Sequence, residues 1–292
     1  MKRKLALYIF LCCNSLVAFC QTSFNMTNSG GHYYILASVN SRDSVAVFVE
    51  SEIPGLLINE DAYKRLFDDS LYERVDSGYS EIKYADVSHK VSGIRKGKVL
   101  IGDVTYQGKI YIIDKHDKIC VPLLRLKNEK NSAANMIRLD FNQGKLDFVG
   151  QDVIDVKKMN EYKIVKSSPK PVVESSLFIA DPYGHHGSIT GNFIFDLGSA
   201  TPLFLFGREP AVKSFVNGND IKAYAIKDKS GQIMGYGILA NSCRIGKKTN
   251  NNASVGVVDM KLKSGYLGCI GPSFFDKGCV VIDVKNNVIY YK

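Results

Sequence analysis

Apolar positions along this chain fall into short runs rich in β-branched and aromatic residues, each closed by Gly, Asn, Asp or Ser. Tyr33–Val39, Val45–Val49, Lys98–Ile101, Lys109–Ile113, Gly191–Phe195 and Gly278–Ile282 are such runs. Their length and punctuation predict strands of an all-β protein. Helical spacing is sparse. Asn59 to Phe67 opens on a capping residue and sets Tyr63, Leu66 and Phe67 on one face, which predicts a short helix; Pro210 to Phe215 predicts a second. Around Ser167-Ser168-Pro169-Lys170-Pro171 the periodicity breaks, as expected of a linker. Lys229-Ser230-Gly231-Gln232 reads as a hairpin tip, either a flap beside the Tyr236 strand or an ordinary surface turn.

The pattern also repeats. Val49-Glu50-Ser51-Glu52-Ile53-Pro54 aligns without a gap under Phe195-Asp196-Leu197-Gly198-Ser199-Ala200, and an apolar run follows each (Leu56–Ile58 and Leu203–Leu205). Leu139-Asp140-Phe141-Asn142-Gln143-Gly144-Lys145-Leu146 matches Ile282-Asp283-Val284-Lys285-Asn286-Asn287-Val288-Ile289 in the same way. The two matches lie 146 and 143 residues apart, so the chain is expected to be an internal duplication. The expected division is a leader at 1–20, a first lobe at 21–150, an inter-lobe segment at 151–187 and a second lobe at 188–292.

Composition narrows the function classes. A formal charge of +9 suggests a nucleic-acid partner, but Lys2, Arg3 and Lys4 account for three of those charges and the rest are scattered. A solvated basic surface, with no nucleic-acid partner, is the expectation. Lys2-Arg3-Lys4, the apolar run from Leu5 to Val17 and Ala18-Phe19-Cys20 read as an export signal cleaved before Gln21; acylation of Cys20, giving a lipoprotein, is the alternative. The protein is therefore expected to be periplasmic or secreted, with no transmembrane segment. Cys120, Cys243, Cys269 and Cys279 lie outside the leader, with no CxxC pair and no ligand spacing, so no metal or other cofactor is expected. They are either buried thiols or hold one disulfide. Gly184-His185-His186-Gly187 reads as a polar turn, and no Gly-x-Ser-x-Gly elbow points to a serine hydrolase.

A strand ending in Asp196-Leu197-Gly198-Ser199-Ala200, an apolar strand after it, and much later Cys269-Ile270-Gly271 with the closing hairpin Val281–Tyr290 resemble the retropepsin- and pepsin-type aspartic proteases. The likeness runs from about Tyr33 to Val149 and again from Ser188 to Lys292, and its ending is similar to bacterial retropepsin-like domains. It implies two duplicated acid-protease β-barrel lobes with a central cleft. It also implies two carboxylates, one per lobe, sharing a proton because close like charges do not both ionise. One carboxylate takes a proton from water while the other bonds the scissile carbonyl.

Asp196 is the expected catalytic acid, with Gly198 bending the turn and Ser199 supplying a hydroxyl to the carboxylate. Glu50 is its expected partner, supported by Ser51 and Glu52. The first copy departs from the pattern: Glu50 is a methylene longer than Asp, Glu52 takes the glycine position, and Cys120-Val121-Pro122 has Pro where Gly is usual. In the second copy Leu197 takes the position of a bridging hydroxyl. The chain is thus expected to be a monomeric exported aspartic endopeptidase that cuts peptides or proteins in its cleft. A pseudoprotease that binds them without cutting, or a scaffold in the cell envelope, is the alternative.

Overall fold

The computed structural model describes residues 22–51, 53–76, 78, 80–84, 87–114, 116–165, 170–227, 229–260, 262, 265–275 and 278–292. The expected leader with Cys20, Glu52, and Ser167 to Pro169 lie outside the described residues. The first lobe runs through β1 (Thr22–Ser29), β2 (His32–Ser38), β3 (Ser44–Glu50), β4 (Leu56–Asn59), α1 (Glu60–Leu66), β5 (Glu73–Arg74), β6 (Glu81–Tyr84), β7 (Val87–Ile101), β8 (Val104–Ile113), β9 (Ile119–Pro122), β10 (Leu126–Lys127), β11 (Met136–Asp140) and β12 (Lys145–Val149). The rest follows as β13 (Asn160–Lys163), β14 (Val172–Ala180), β15 (His186–Phe195), β16 (Leu203–Phe206), α2 (Pro210–Gly218), β17 (Ala223–Lys227), β18 (Ile233–Ile245), β19 (Lys248–Val258), β20 (Gly268–Ile270), β21 (Cys279–Asp283) and β22 (Val288–Tyr291). Both expected helices form. Asn59 caps α1 by accepting from Ala62 N–H at 2.7 Å, and Pro210 opens α2, where a missing N–H costs nothing.

Strand pairing repeats with the sequence. β3 runs parallel to β9, which lies antiparallel to β4, and β4 runs parallel to β8. In the second lobe β15 runs parallel to β20, which lies antiparallel to β16, and β16 runs parallel to β19. Closure repeats as well: β14 also pairs with β18, sealing a barrel, and Val39 bridges Ile101 at the corresponding corner of the first lobe. Each lobe carries a hairpin at the same stage, β6 with β7 and β17 with β18; the second has its tip at Lys229–Gln232, with Gly231 at φ +85°.

The lobes share a floor of strands ordered β13-β22-β21-β11-β12-β1. The hairpin β11–β12 turns through Gly144 and its counterpart β21–β22 through Asn287, both with left-handed backbone and 143 residues apart. Asp140 Oδ1 accepts from Gln143 N–H at 3.0 Å and Asp283 Oδ1 from Asn286 N–H at 2.9 Å, so the repeated Asp fixes the same turn twice. β11 and β21, equivalent strands, pair antiparallel, with Met136 opposite Asp283 and Asp140 opposite Cys279. The centre of that ladder is Arg138 opposite Val281, themselves equivalent positions, so the pseudo-twofold axis passes there.

The stretch 151–187, expected to be inter-lobe linker, carries two elements of the duplication. β13 pairs with β22 as the first half of β1 pairs with β12, and β14 pairs with β15 as β2 pairs with β3. Just after β13, Ile164 bridges Val173 of β14, so both strands belong to one lobe.

The main core spans both lobes, from Phe24, Val47 and Phe148 to Phe195, Leu205 and Tyr291. The cysteines at 120, 243, 269 and 279 are not joined in disulfides; burial pushes the thiols of Cys243 up to about 12 and Cys279 to about 11, leaving them protonated. Under the β6–β7 hairpin two buried imidazoles meet: His89 and His116 lie 5.4 Å apart edge to face, and Cys120 Sγ is 3.5 Å from His116 Nε2. Burial first, then neighbouring His89, push His116 down to about 4. The unfolded chain takes that proton near pH 6.5, so the stability held by neutral His116 is full above 6.5 and is lost as pH falls towards 4, by roughly 2–3 kcal/mol. Urea midpoints should therefore fall between pH 7 and 4.5, and less steeply in His116→Phe.

Candidate active site

The two matched acids end equivalent strands. Glu50 closes β3 opposite Pro122 of β9. Asp196 follows β15, and its N–H donates to Ile270 C=O at 2.9 Å, one residue before Gly271. Pro122 and Gly271 are thus structural equivalents. At Gly271 a Cβ would run into Thr201 C=O and stand 3.1 Å from Ser199 C=O, so the second lobe needs its glycine. The first lobe turns at Pro122 with φ −71° and no N–H to give.

The Glu50 side chain meets the turn that follows Asp196, at the junction of the lobes. The Glu50 side chain is 4% exposed and its carboxylate lies on the α-carbon of Gly198. A Cβ built on Gly198 would overlap Glu50 Oε2 and stand 2.6 Å from Cδ and 2.8 Å from Oε1. Gly198 N–H in turn donates to Asp196 Oδ1 at 3.0 Å. Glycine therefore serves twice at this position: it bends the Asp196 turn, and it leaves the space that the longer Glu arm fills.

Ser51 is the equivalent of Leu197, and its hydroxyl joins the lobes. Its Oγ accepts from Leu197 N–H at 2.9 Å and donates to Phe195 C=O at 3.0 Å. The bridge expected to be missing at Leu197 is missing from that side alone; the first lobe supplies the other half. Ser199 departs from expectation. Its hydroxyl donates to Thr201 C=O at 3.0 Å and accepts from Thr201 N–H at 3.3 Å, closing its own turn instead of holding the Asp196 carboxylate. Both backbone groups of Thr201 engage this hydroxyl, and Ser199 is a buried residue.

Sequence reasoning missed the β1–β2 hairpin. Gly31, at φ +86°, packs on the Asp196 turn so closely that a Cβ there would lie 2.5 Å from Ala200 Cβ and 2.7 Å from its Cα. Gly31→Ala strains the backbone and forces the hairpin off Ala200; about 1–3 kcal/mol of stability should go from the backbone alone, read by thermal unfolding. The Gly30-Gly31 pair was the available signal, since consecutive glycines between strands mark a tight turn that lets another backbone approach.

Among the described residues no group of three or more His, Cys, Asp or Glu is arranged to hold a metal ion, and no helix is long and apolar enough to cross a membrane. Gly184-His185-His186 forms a turn organised by buried Asp181, which accepts from Tyr183 N–H at 2.8 Å and His185 N–H at 2.9 Å. A cavity of about 500 Å³ lies elsewhere, on the shared floor between Leu126, Ile137, Phe148 and Val284, with no candidate site residue in its lining.

No known family profile matches the sequence, and no curated protein does. Among solved structures the chain is similar to an aspartic proteinase from Irpex lacteus, with TM-score 0.60 and 14% identity over 93% of this chain and 97% of that one. At that identity the likeness speaks for the fold: a mostly-β, two-lobed architecture of the pepsin-like kind, with a closed barrel.

Proposed function

We propose that this chain is an exported peptidase of the bacterial retropepsin-like kind, hydrolysing peptide bonds between its lobes with Asp196 and Glu50 as an unequal dyad. The observation that carries the reading is the Glu50 carboxylate against Gly198, two residues beyond Asp196 and across the lobe junction. Asp196, in the intact turn with Gly198 N–H on Oδ1, is the oriented carboxylate. Glu50 is buried, so the pair favours holding one proton between them. One acid then activates water and the other bonds the scissile carbonyl. Ser51 keeps the two turns in register through its bonds to Leu197 and Phe195.

Pro122 at the position equivalent to Gly271 favours a second reading, in which the worn first lobe binds peptides without cutting them. Incubating the mature chain with an unstructured peptide library from pH 3 to 7, and reading products by mass spectrometry, separates the two. Cleavage with a maximum in mild acid supports the peptidase. Retention of peptides with no product at any pH supports the binding protein, and neither cleavage nor retention rejects both.

A further inference from the structure

The duplication is uneven along the shared floor, and the difference leaves a cavity. Eighteen residues lead from Pro122 to Asp140 in the first lobe, but twelve lead from Gly271 to its counterpart Asp283 in the second. The shorter path lays Phe275 on the floor: its ring centroid is 5.6 Å from that of Tyr291, and both rings are buried. Phe148 is the equivalent of Tyr291, since the two face the equivalent positions Ile137 and Val280. In the first lobe the longer path forms the segment 128–135, which walls a cavity of about 500 Å³. The chain's own hydrogen bonds set its shape. Buried Asn128 donates from Nδ2 to Thr22 Oγ1 at 3.1 Å and accepts at Oδ1 from Asn131 N–H at 3.1 Å. On the second-lobe side, Val284 and Lys285 ride on the turn that Asp283 fixes.

Leu126, Ala134, Ile137 and Phe148 give this cavity a buried apolar wall. The amide of Asn128 is already engaged, so water inside finds few partners and an alkyl group is favoured. Exposed Val284, Lys127 and Lys285 line the same cavity from the solvent side. Glu129 lines it too, but Lys98 holds that carboxylate. Neither Lys127 nor Lys285 has a salt-bridge partner among the described residues. We propose that the cavity binds a long-chain carboxylate, with its alkyl tail against Ile137 and Phe148 and its head between the ammonium groups of Lys127 and Lys285. With two lysines and one glutamate the lining carries one net positive charge, which a monoanion neutralises. A volume near 500 Å³ is that of an ordinary small-molecule site, and charge-assisted hydrogen bonds fix the head. Val284 and Lys285 come from the second lobe and the remaining wall from the first, so the bound molecule ties the two together.

This site stands apart from Glu50 and Asp196, and its test needs no peptide cleavage. Laurate, kept below its micelle concentration at pH 7.5, is titrated by calorimetry into the chain with and without residues 1–20. One molecule should bind per chain, and a concentration a hundred times Kd should raise the thermal midpoint by about 5 °C. Dodecanol has the same tail and no charge; it should bind about tenfold more weakly or worse, on the scale of a hydrogen bond to a charged group. Lys127→Gln with Lys285→Gln, both at exposed positions, should cost laurate the same factor and leave dodecanol unchanged. Ala134→Leu, which fills the cavity, should abolish binding of both. The proposal is overturned by laurate that fails to bind, by laurate and dodecanol binding alike, or by laurate affinity that the lysine pair does not move. Binding seen only once residues 1–20 are removed also overturns it, since the chain's own N-terminal segment is then the occupant. Tighter binding of dodecyl phosphate than of laurate overturns the choice of a carboxylate.

Discussion

Asp196→Asn is expected to remove peptide hydrolysis by about 10³-fold or more without unfolding the chain, on the scale of a lost general acid–base group. The amide is nearly isosteric and its oxygen can still accept from Gly198 N–H, the bond now made at 3.0 Å. What it cannot do is share a proton with Glu50 or take one from water. Glu50→Gln should cost as much for the same reason. Glu50→Asp behaves differently. The present arm reaches the α-carbon of Gly198, and removing one methylene draws the carboxylate back from that contact towards the length of its partner. Turnover should rise. Rates measured with one peptide across the pH range, with circular dichroism to verify folding, decide the matter: activity surviving Asp196→Asn removes this residue from the mechanism. Equal loss in Glu50→Asp and Glu50→Gln would mean that the longer arm is required.

The sequence carried the duplication because both copies kept the residues that local geometry demands. Asp140 and Asp283 each cap a hairpin turn, and Gly144 and Asn287 each adopt the left-handed conformation there; such needs are written in neighbouring residues. The acid positions were readable for the same reason, as the ends of apolar strands. What could not be read was anything decided by one lobe touching the other. Ser51 spans to Leu197 and Gly31 meets Ala200 over separations of about 150 to 170 residues, and no local pattern marks a residue for such a partner. A hydroxyl beside an acid points in sequence to the acid, whereas that of Ser199 closes its own turn on the backbone of Thr201. β13, with four residues, is too short to show a period, whereas the nine residues of β14 alternate from Val173 to Ile179 and were legible as a strand inside the expected linker.

The pseudo-twofold axis itself carries the largest expected loss of stability. Arg138 stands on it, and its guanidinium meets Asp147 of β12 with Nη2 at 2.5 Å and Nε at 2.7 Å from Oδ2. The Asp147 side chain is 2% exposed while that of Arg138 is 27% exposed, so the carboxylate has given up water for this one cation. Arg138→Ala leaves that charge buried and unpaired in the floor that joins the lobes. About 3–5 kcal/mol should be lost, the usual cost of breaking a buried pair from one side. Because β11 pairs with β21, the damage reaches both lobes, and a single cooperative transition should shift as a whole. Replacing both partners, Arg138→Leu with Asp147→Leu, removes the unpaired charge along with the bond and should recover most of the loss. Urea unfolding of the wild type, the single variant and the pair measures this directly. A double variant as unstable as Arg138→Ala would show that the guanidinium holds the axis through its packing, with the charge of Asp147 playing little part.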